Sequence, residues 1–437
     1  MTSHREAMPN AFVPGKGDLG PEELALVARR QKALGPAYRL FYETPLHLVR
    51  GEGVWLYDAA GNAYLDAYNN VASLGHCHPR VVAAMAKQAA TFASHTRYLH
   101  DTILSYSERL LATFPDRLSH VMFTCTGSEA NDLALRIAYQ HTGGTGIIVT
   151  ENAYHGVTHL VAGFSPSLGA GVARGAHVRT VPAPDPVRGD DTGPEFARAV
   201  QGAIDDLARS GIRPAALIVD TIFSSDGVIP DPAGFLAPAV AAIRAAGGLF
   251  IADEVQPGFG RTGAGMWGFA RHGVIPDMVS LGKPMGNGYP VAGLVLRPGV
   301  VAEFGARGRY FNTFGGNAVA AATAMAVLDV IEEEGLIGNA RDVGDYLATG
   351  LAALARRHDC LGAPRGAGLF IGADIVTDGR PDAALAARIV NGLREARVLI
   401  SATARAGNVL KIRPPLTFSR ENADLLLERL DQVVTAL

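Results

Sequence analysis

The chain has 437 residues, of which 48% are hydrophobic and 19% are charged, and its formal net charge is −3. This length and balance predict a folded protein with two domains, or one large core with a satellite, and they exclude wholesale disorder. The weak negative charge and the lack of a Lys/Arg-rich run give no case for nucleic acid or an anionic membrane as a partner.

The three cysteines, Cys77, Cys125 and Cys360, are too few and too scattered for a disulfide framework. His76, Cys77 and His78 lie close together, but no second ligand pair with zinc spacing follows them. We therefore predict free thiols in a reducing cytosol and no metal site. The N-terminal residues contain no apolar core of a secretory signal, so we expect a cytoplasmic protein.

Strand signals begin near the N-terminus. Val49–Asp58 and Asn62–Asp66 flank a turn at residues 59–62, which predicts a small hairpin-like sheet. Farther along, helical spacing of apolar residues predicts helices at Ser128–Gln140 and Phe235–Ala246. Short apolar runs bounded by Gly, Pro or Asp predict six buried strands, at Val121–Cys125, Gly146–Thr150, Ala216–Asp220, Leu249–Asp253, Met278–Leu281 and Gly293–Leu296.

This alternation of strands and helices predicts a mainly parallel α/β sheet. The Ala-rich stretch Gly315–Val330 is too short for a membrane span and predicts a closely packed helix of a soluble protein. From about Asn339 the pattern changes to α+β, so we predict a small α+β domain built from both chain ends. The predicted division is 1–74 for the N-terminal segment of the small domain, 75–325 for the large domain and 326–437 for the C-terminal part.

Ligands of such a sheet bind at the carboxyl ends of its strands, where four features of this sequence fall. The motif Thr126-Gly127-Ser128 opens a helix, whose N–H groups can hold an anion while the glycine allows close approach. A simple helix cap through either hydroxyl explains the motif equally well. Tyr154-His155 follows the next strand, where an aromatic ring can cover a planar ligand, although a core tyrosine is the commoner explanation.

The other two features are charged. Asp253 closes an apolar strand, which is costly unless the carboxylate has a donor or cationic partner, such as a protonated pyridine nitrogen or a helix N-terminus. Lys283 follows another strand among glycines, which fits a desolvated amine, although a solvated loop lysine would look similar in isolation. Together the four features supply an anion cradle, a ring cover, a pyridinium partner and an amine. This set favours pyridoxal 5′-phosphate (PLP) as the cofactor.

Motifs along nearly the whole chain resemble the class III (ω-amino) aminotransferase family, in the order GEGVWLYDAAGNAYLD, LGHCHP, TGSEAN, YHG, IADEVQPGFGRTG, GKPMGNGYPVAG and NTFGGN. The resemblance implies an α/β protein of PLP fold type I with a mainly parallel seven-stranded sheet. It also implies a homodimer with active sites at the subunit interface. The cofactor-binding residues that it implies are Gly127, Ser128, Tyr154, His155, Asp220, Asp253, Gln256, Lys283 and Thr313.

The resemblance also assigns roles to these positions. Lys283 would carry the cofactor and move protons, which makes it the predicted catalytic residue. Gly127 and Ser128 would hold the phosphate, and Tyr154 would stack on the pyridine ring. Asp253 would pair with the pyridine nitrogen, and Gln256 would approach the phenolic oxygen. Thr313 would reach the phosphate of the partner subunit's cofactor.

Two positions depart from the family pattern. Asp220-Thr221 stands where the family usually has a Glu-Pro pair. Lys411 stands where family members that use α-amino or α-keto acids have an arginine, whose bidentate grip on a carboxylate a lysine cannot reproduce. The loss of this arginine weakens the case for an ordinary amino-acid-coupled transaminase.

A subgroup, the ethanolamine-phosphate and phosphohydroxylysine phospho-lyases, is similar in the stretches NNVA, RYLHD, SEANDLALR, YFNTFGGN, GLFIG and NVLKIRPP. This resemblance implies elimination of phosphate from a phosphorylated amine such as O-phosphoethanolamine, without a keto-acid acceptor. The alternatives are an ω-aminotransferase with another acceptor and a PLP-binding protein without catalysis. The candidate ligands of the leaving phosphate are Asn69, Asn70, Arg97 and the pair Lys411 and Arg413, which share one face of a predicted strand.

Overall fold

The computed structural model describes residues 10–15, 17, 19–185 and 190–437. Gly53, with φ at +54°, turns the chain inside the predicted strand Val49–Asp58, so that this strand is in fact a two-strand hairpin. A glycine takes such a φ without steric cost. The elements of this N-terminal part are α1 (Pro21–Leu34), β1 (Leu48–Glu52), β2 (Trp55–Asp58), β3 (Ala63–Asp66), α2 (Pro79–Thr91) and α3 (Asp101–Leu111).

The central part of the chain forms a seven-stranded sheet with the order β4-β10-β9-β8-β7-β5-β6, in which β10 alone runs antiparallel to its neighbours. This confirms the predicted mainly parallel α/β architecture. Its elements are β4 (His120–Thr124), α4 (Gly127–Thr142), β5 (Gly146–Thr150), α5 (His159–Ala162), β6 (Val178–Val181), α6 (Thr192–Arg209), β7 (Pro214–Asp220), α7 (Ala237–Ala245), β8 (Leu249–Asp253), β9 (Met278–Leu281), β10 (Ala292–Leu296) and α8 (Pro298–Arg307).

The strands of this sheet are apolar without interruption because helices cover both of its faces. In β5, Ile147 packs in one hydrophobic cluster with Leu133 of α4, whereas Ile148 packs in another with Val200 of α6. The sequence patterns do not predict β6. That strand lies at the sheet edge and has two half-buried polar residues in the sequence VRTV, so it lacks the apolar run of the inner strands.

The last third of the chain forms an α+β unit together with the N-terminal strands. Val398 of β15 pairs in parallel with Leu65 of β3, so both chain ends build one sheet, as predicted. The division at residue 325 stays a prediction, and α9 runs through that position. The elements are α9 (Ala318–Glu333), α10 (Leu336–Ala355), β11 (Arg365–Gly366), β12 (Ile371–Asp374), β13 (Val376–Thr377), β14 (Arg380–Pro381), α11 (Ala383–Glu395), β15 (Val398–Leu399), β16 (Ser401–Thr403), β17 (Val409–Ile412) and α12 (Arg420–Thr435).

The stretch Gly315–Val330 forms most of α9, which is buried along much of its length. The small side chains of its alanines allow this helix to lie close to α2 and α3. Within the described residues, no helix combines the length and the apolar character that crossing a membrane requires.

Candidate active site

The predicted polar residues lie at the carboxyl ends of parallel strands and therefore at one edge of the sheet. β7 ends at Asp220 and β8 ends at Asp253, and these two residues are paired in the register of the sheet. Lys283 follows β9, the next strand. One cavity of about 310 Å³ at this edge is lined by eight of the predicted cofactor residues, Gly127, Ser128, Tyr154, His155, Asp220, Asp253, Gln256 and Lys283.

The anion cradle lies at the start of α4. Thr126 is the helix cap, because its hydroxyl accepts from the backbone N–H of Glu129 at 3.2 Å and the Glu129 carboxylate accepts in return from Thr126 N–H at 3.1 Å. The cap therefore does not consume Ser128, whose Oγ accepts from Val157 N–H at 3.1 Å beside the cavity. A Cβ atom on Gly156 would lie 2.4 Å from this Oγ, so only glycine fits there.

Asp253 has donors on both carboxylate oxygens. Its Oδ2 accepts from Asn131 Nδ2 at 2.9 Å and from His155 Nδ1 at 2.7 Å, and its Oδ1 accepts from Val255 N–H at 3.1 Å. His155 thus supports the carboxylate from behind. Asn131 was not predicted as a site residue, although its place one turn into α4 after Gly127 indicates that its side chain points toward the same strand ends.

Lys283 is held in an uncommon backbone conformation, with φ at +27°, and its Nζ lies 6.0 Å from the centre of the Tyr154 ring. Burial and then the positive charge of Arg413 lower the pKa of its amine, while Asp253 and Asp220 oppose this shift. A lowered pKa increases the neutral fraction of the amine, which is the form that attacks a carbonyl carbon.

A chain of side chains crosses the floor of the site. The Arg413 guanidinium donates to Gln256 Oε1, Gln256 Nε2 donates to Ser224 Oγ at 2.5 Å, and Ser224 Oγ donates to Asp220. Burial raises the pKa of Asp220, and the hydrogen bond from Ser224 opposes that rise. The sequence patterns do not predict the role of Ser224, because nothing local in the SSDG stretch indicates that its hydroxyl joins Asp220, at the end of β7, to Gln256, which follows β8.

The predicted phosphate ligands differ in what they contact. The Asn69 Oδ1 accepts from Val71 N–H at 2.9 Å, and Asn70 is buried with its Nδ2 donating to the Gln256 carbonyl at 3.0 Å. Arg413 also donates through Nε to the Tyr68 carbonyl at 3.0 Å. Asn70 and Arg413 thus use side-chain donors on the protein itself, whereas Asn69 is engaged through its acceptor oxygen.

Lys411 differs from these residues. It is buried, with its Nζ 5.4 Å from the centre of the Phe370 ring, and the described part of the chain gives this amine neither a hydrogen bond nor an ion pair. Arg413 lies 5.5 Å from the same ring, in keeping with the predicted common face. Burial and then the charge of Arg413 place the pKa of Lys411 well below its usual range.

Arg97 and Thr313 lie outside the cavity. The Arg97 guanidinium stacks on Phe311 at 3.7 Å from the ring centre, and both Arg97 and Thr313 are exposed. Neither is among the described residues that line the cavity.

The geometry fits PLP. The cavity offers a helix N-terminus with a serine hydroxyl for a phosphate, an aromatic ring for a planar face and a buried carboxylate for a ring nitrogen. Lys283 supplies the amine. The residues that would hold the cofactor are Gly127, Ser128, Tyr154, Asp253 and Lys283.

The family model of class III aminotransferases matches residues 41–434 of the chain. The chain belongs to the class III aminotransferase family. It is therefore a PLP-dependent enzyme with the architecture of PLP fold type I, and the resemblance stated from its motifs is confirmed.

Individual relatives differ in their described activities. A phospholyase from Arthrobacter, solved in complex with phosphoethanolamine, is 43% identical with a TM-score of 0.92, and the match covers 94% of this chain and 100% of that one. An alanine–glyoxylate aminotransferase 2-like protein of Drosophila melanogaster is 42% identical over 93% of this chain and 86% of the fly protein. An ethanolamine-phosphate phospho-lyase homologue of Caenorhabditis elegans is 35% identical over 94% of this chain and 93% of the worm protein.

Proposed function

We propose that the enzyme is an amine phospho-lyase that eliminates phosphate from O-phosphoethanolamine or a similar phosphorylated amine. The observation that carries this proposal is the uncommitted amine of Lys411, at the position where family aminotransferases acting on α-amino acids have an arginine. Arg413 donates through Nε to the Tyr68 carbonyl and through Nη1 to Gln256, so these two donors are already used within the protein. The likeness to a phospholyase bound to phosphoethanolamine supports the same proposal.

The proposed reaction converts O-phosphoethanolamine and water into acetaldehyde, ammonia and inorganic phosphate. The bound cofactor would supply an electron sink for the carbon next to the substrate nitrogen. Lys283, freed from carrying the cofactor, would remove the proton from that carbon. The electron pair would then expel phosphate as the β-carbon–oxygen bond breaks, so no keto acid is required.

The leaving phosphate needs a cation close to Lys283. Lys411 is not among the described residues that line the cavity, but it is near enough to Lys283 and Asp220 for their charges to act on its amine. Lys411 is a compact point charge when protonated, and it has the three donors that phosphate oxygens accept. Its neighbours include the carboxylates Asp220 and Asp226, whose charges favour the ammonium form. In contrast to an arginine fork, this group offers no geometric preference for a planar carboxylate.

We also propose a homodimer in the cytoplasm. Leu99 and Phe314, which adjoin Arg97 and Thr313, are 97% and 69% exposed in the single subunit, as expected of a surface that a partner covers. In such a dimer Thr313 would reach the cofactor phosphate of the partner subunit. The cytoplasmic location rests on three cysteines that are all free.

Phosphate release without an acceptor distinguishes the two candidate activities. With O-phosphoethanolamine and PLP but no keto acid, we expect many turnovers, with phosphate, ammonia and acetaldehyde formed in equal amounts. The aminotransferase alternative, favoured by the likeness to the fly protein, requires an acceptor. Absence of phosphate release, together with amino transfer to pyruvate or glyoxylate, would show that the lyase proposal is wrong.

The pH dependence of substrate binding tests the role of Lys411. Because its pKa is lowered, its ammonium form is lost at a lower pH than in an ordinary lysine, so the KM for O-phosphoethanolamine should rise as pH increases. Lys411→Met should raise this KM by roughly 10- to 100-fold, the range for a lost hydrogen bond to a charged group. Lys411→Arg should keep the charge throughout and flatten the rise, because guanidinium does not titrate.

Steady-state kinetics from about pH 6 to 10 provide the measurement, with wild type, Lys411→Met and Lys411→Arg compared in the same buffers. Titration of Lys283 and of the substrate amine is common to all three proteins, so the difference between them isolates Lys411. A KM that is the same in wild type and Lys411→Met at low pH would contradict the assignment.

A further inference from the structure

The LGHCHP motif contributes no residue to the cavity, yet His76 has a specific partner. Asp66 closes β3, and its Oδ2 accepts from His76 Nε2 at 2.7 Å, while its Oδ1 accepts from the backbone N–H groups of Tyr68 and Asn69 at 3.1 and 2.9 Å. The two paired side chains are only 2% and 14% exposed. This contact joins the two ends of the segment from Asp66 to His76, here called the 66–76 loop.

The first half of the 66–76 loop is hydrogen-bonded to Arg413 and Gln256. The Ala67 carbonyl accepts from Arg413 N–H at 2.7 Å, and the Tyr68 carbonyl accepts from Arg413 Nε at 3.0 Å. Asn70 donates to the main-chain carbonyl of Gln256 at 3.0 Å. The loop therefore holds in place both residues of the Arg413–Gln256 hydrogen bond.

The second half of the loop is hydrogen-bonded to the turn that contains Lys283. The Asn287 side chain accepts from Leu74 N–H at 2.8 Å and donates to the Gly75 carbonyl at 2.9 Å. Asn287 ends the turn that begins at Lys283, and both residues have a positive φ, at +47° and +27°. The last loop residues before His76 are thus bonded directly to the turn that carries the catalytic lysine.

We propose that His76 is a positioning residue, which closes the 66–76 loop and thereby holds Arg413 and the Lys283 turn in their relative places. His76 is not among the described residues lining the cavity, so it acts through the loop. Without its donor, the buried Asp66 carboxylate would lack a partner on Oδ2, which favours opening of the loop end. The proposal does not depend on whether elimination or amino transfer is the reaction.

Gly51 lies directly against the His76 side chain. A Cβ atom on Gly51 would lie 2.8 Å from His76 Cβ and 2.9 Å from its Cγ. Gly51 has no positive φ that would itself penalise a side chain. A methyl group at Gly51 would therefore displace the imidazole from Asp66 without altering any residue of the loop.

The test compares a variant that removes the donor with one that restores it. His76→Met keeps a similar volume but cannot donate, whereas the Gln amide in His76→Gln can donate to Asp66. In the PLP-loaded enzyme we expect His76→Met to lower kcat/KM on the order of 10- to 100-fold. It should lower the affinity for PLP, measured by titration of the visible absorbance band, by roughly ten-fold. His76→Gln should recover both values to within about three-fold.

The chain offers a matched control in a second Asp–His contact. His358 Nε2 lies 2.6 Å from Asp431 Oδ1, with side-chain exposures of 16% and 33%, between the end of α10 and α12. His358→Met should lower Tm but leave kcat/KM and PLP affinity within about two-fold, because distant sites act independently. Gly51→Ala should change PLP affinity and kcat/KM in the same direction as His76→Met.

Two outcomes would overturn the proposal. The first is a His76→Met protein whose Tm falls as in His358→Met while PLP affinity and kcat/KM stay at wild-type values. The second is equal impairment of His76→Met and His76→Gln, since a restored donor would then have no effect. If His76→Met does not fold, unchanged PLP affinity and kcat/KM in folded Gly51→Ala would equally overturn it.

Discussion

Lys283→Ala is expected to abolish the visible absorbance of the PLP-loaded enzyme and to reduce turnover by at least roughly 10³-fold. The physical reason is that one side chain supplies both the covalent attachment of the cofactor and the proton-transfer group. The cavity contains no second amine that could replace it among its described lining residues. Absorbance spectra after removal of free PLP, together with phosphate release, provide the measurement.

Lys87→Ala is the matched control, because Lys87 is an exposed lysine on α2 and lies outside the cavity. This variant should keep the spectrum and the rate of the wild type. Retained turnover in Lys283→Ala would contradict the central assignment of the site, whichever reaction the enzyme catalyses.

Asp253→Asn should reduce kcat by roughly 10²- to 10³-fold, the cost of removing one preorganised electrostatic partner. The neutral amide keeps the shape of the carboxylate but no longer stabilises a protonated pyridine nitrogen. It also places an amide against Asn131 Nδ2 and His155 Nδ1, which both donate to the carboxylate in the native enzyme. Steady-state kinetics with saturating PLP would measure the loss of kcat separately from any weaker cofactor binding.

A buried carboxylate away from the site provides the control for this variant. Asp277 is 2% exposed and accepts from Arg244 Nε at 3.1 Å and from Phe250 N–H at 2.9 Å, at the opposite ends of β8 and β9. Asp277→Asn should therefore lower the free energy of unfolding but leave kcat unchanged. A similar kcat in Asp253→Asn and Asp277→Asn would refute the proposed role of Asp253.

The sequence by itself determined six of the seven strands of the central sheet and the four active-site motifs. The apolar runs that end at Asp220, Asp253 and Leu281 are local signals, and both faces of those strands are buried in the structure. Because parallel strands share one carboxyl edge, their order in the chain was enough to predict that Asp253 and Lys283 meet. The edge strand β6 escaped prediction because its polar residues interrupt the apolar run.

Only the tertiary structure decided which of these side chains remain available to a ligand. Arg413 and Gln256 are far apart in the chain, and their hydrogen bond uses one donor of the guanidinium that the sequence predicts as a phosphate ligand. Asn70 is committed in the same way, whereas Lys411 is not. The physical reason is that a polar side chain in a buried site bonds to whatever group packing brings near it. That neighbour depends on contacts between distant segments, which local sequence patterns do not encode.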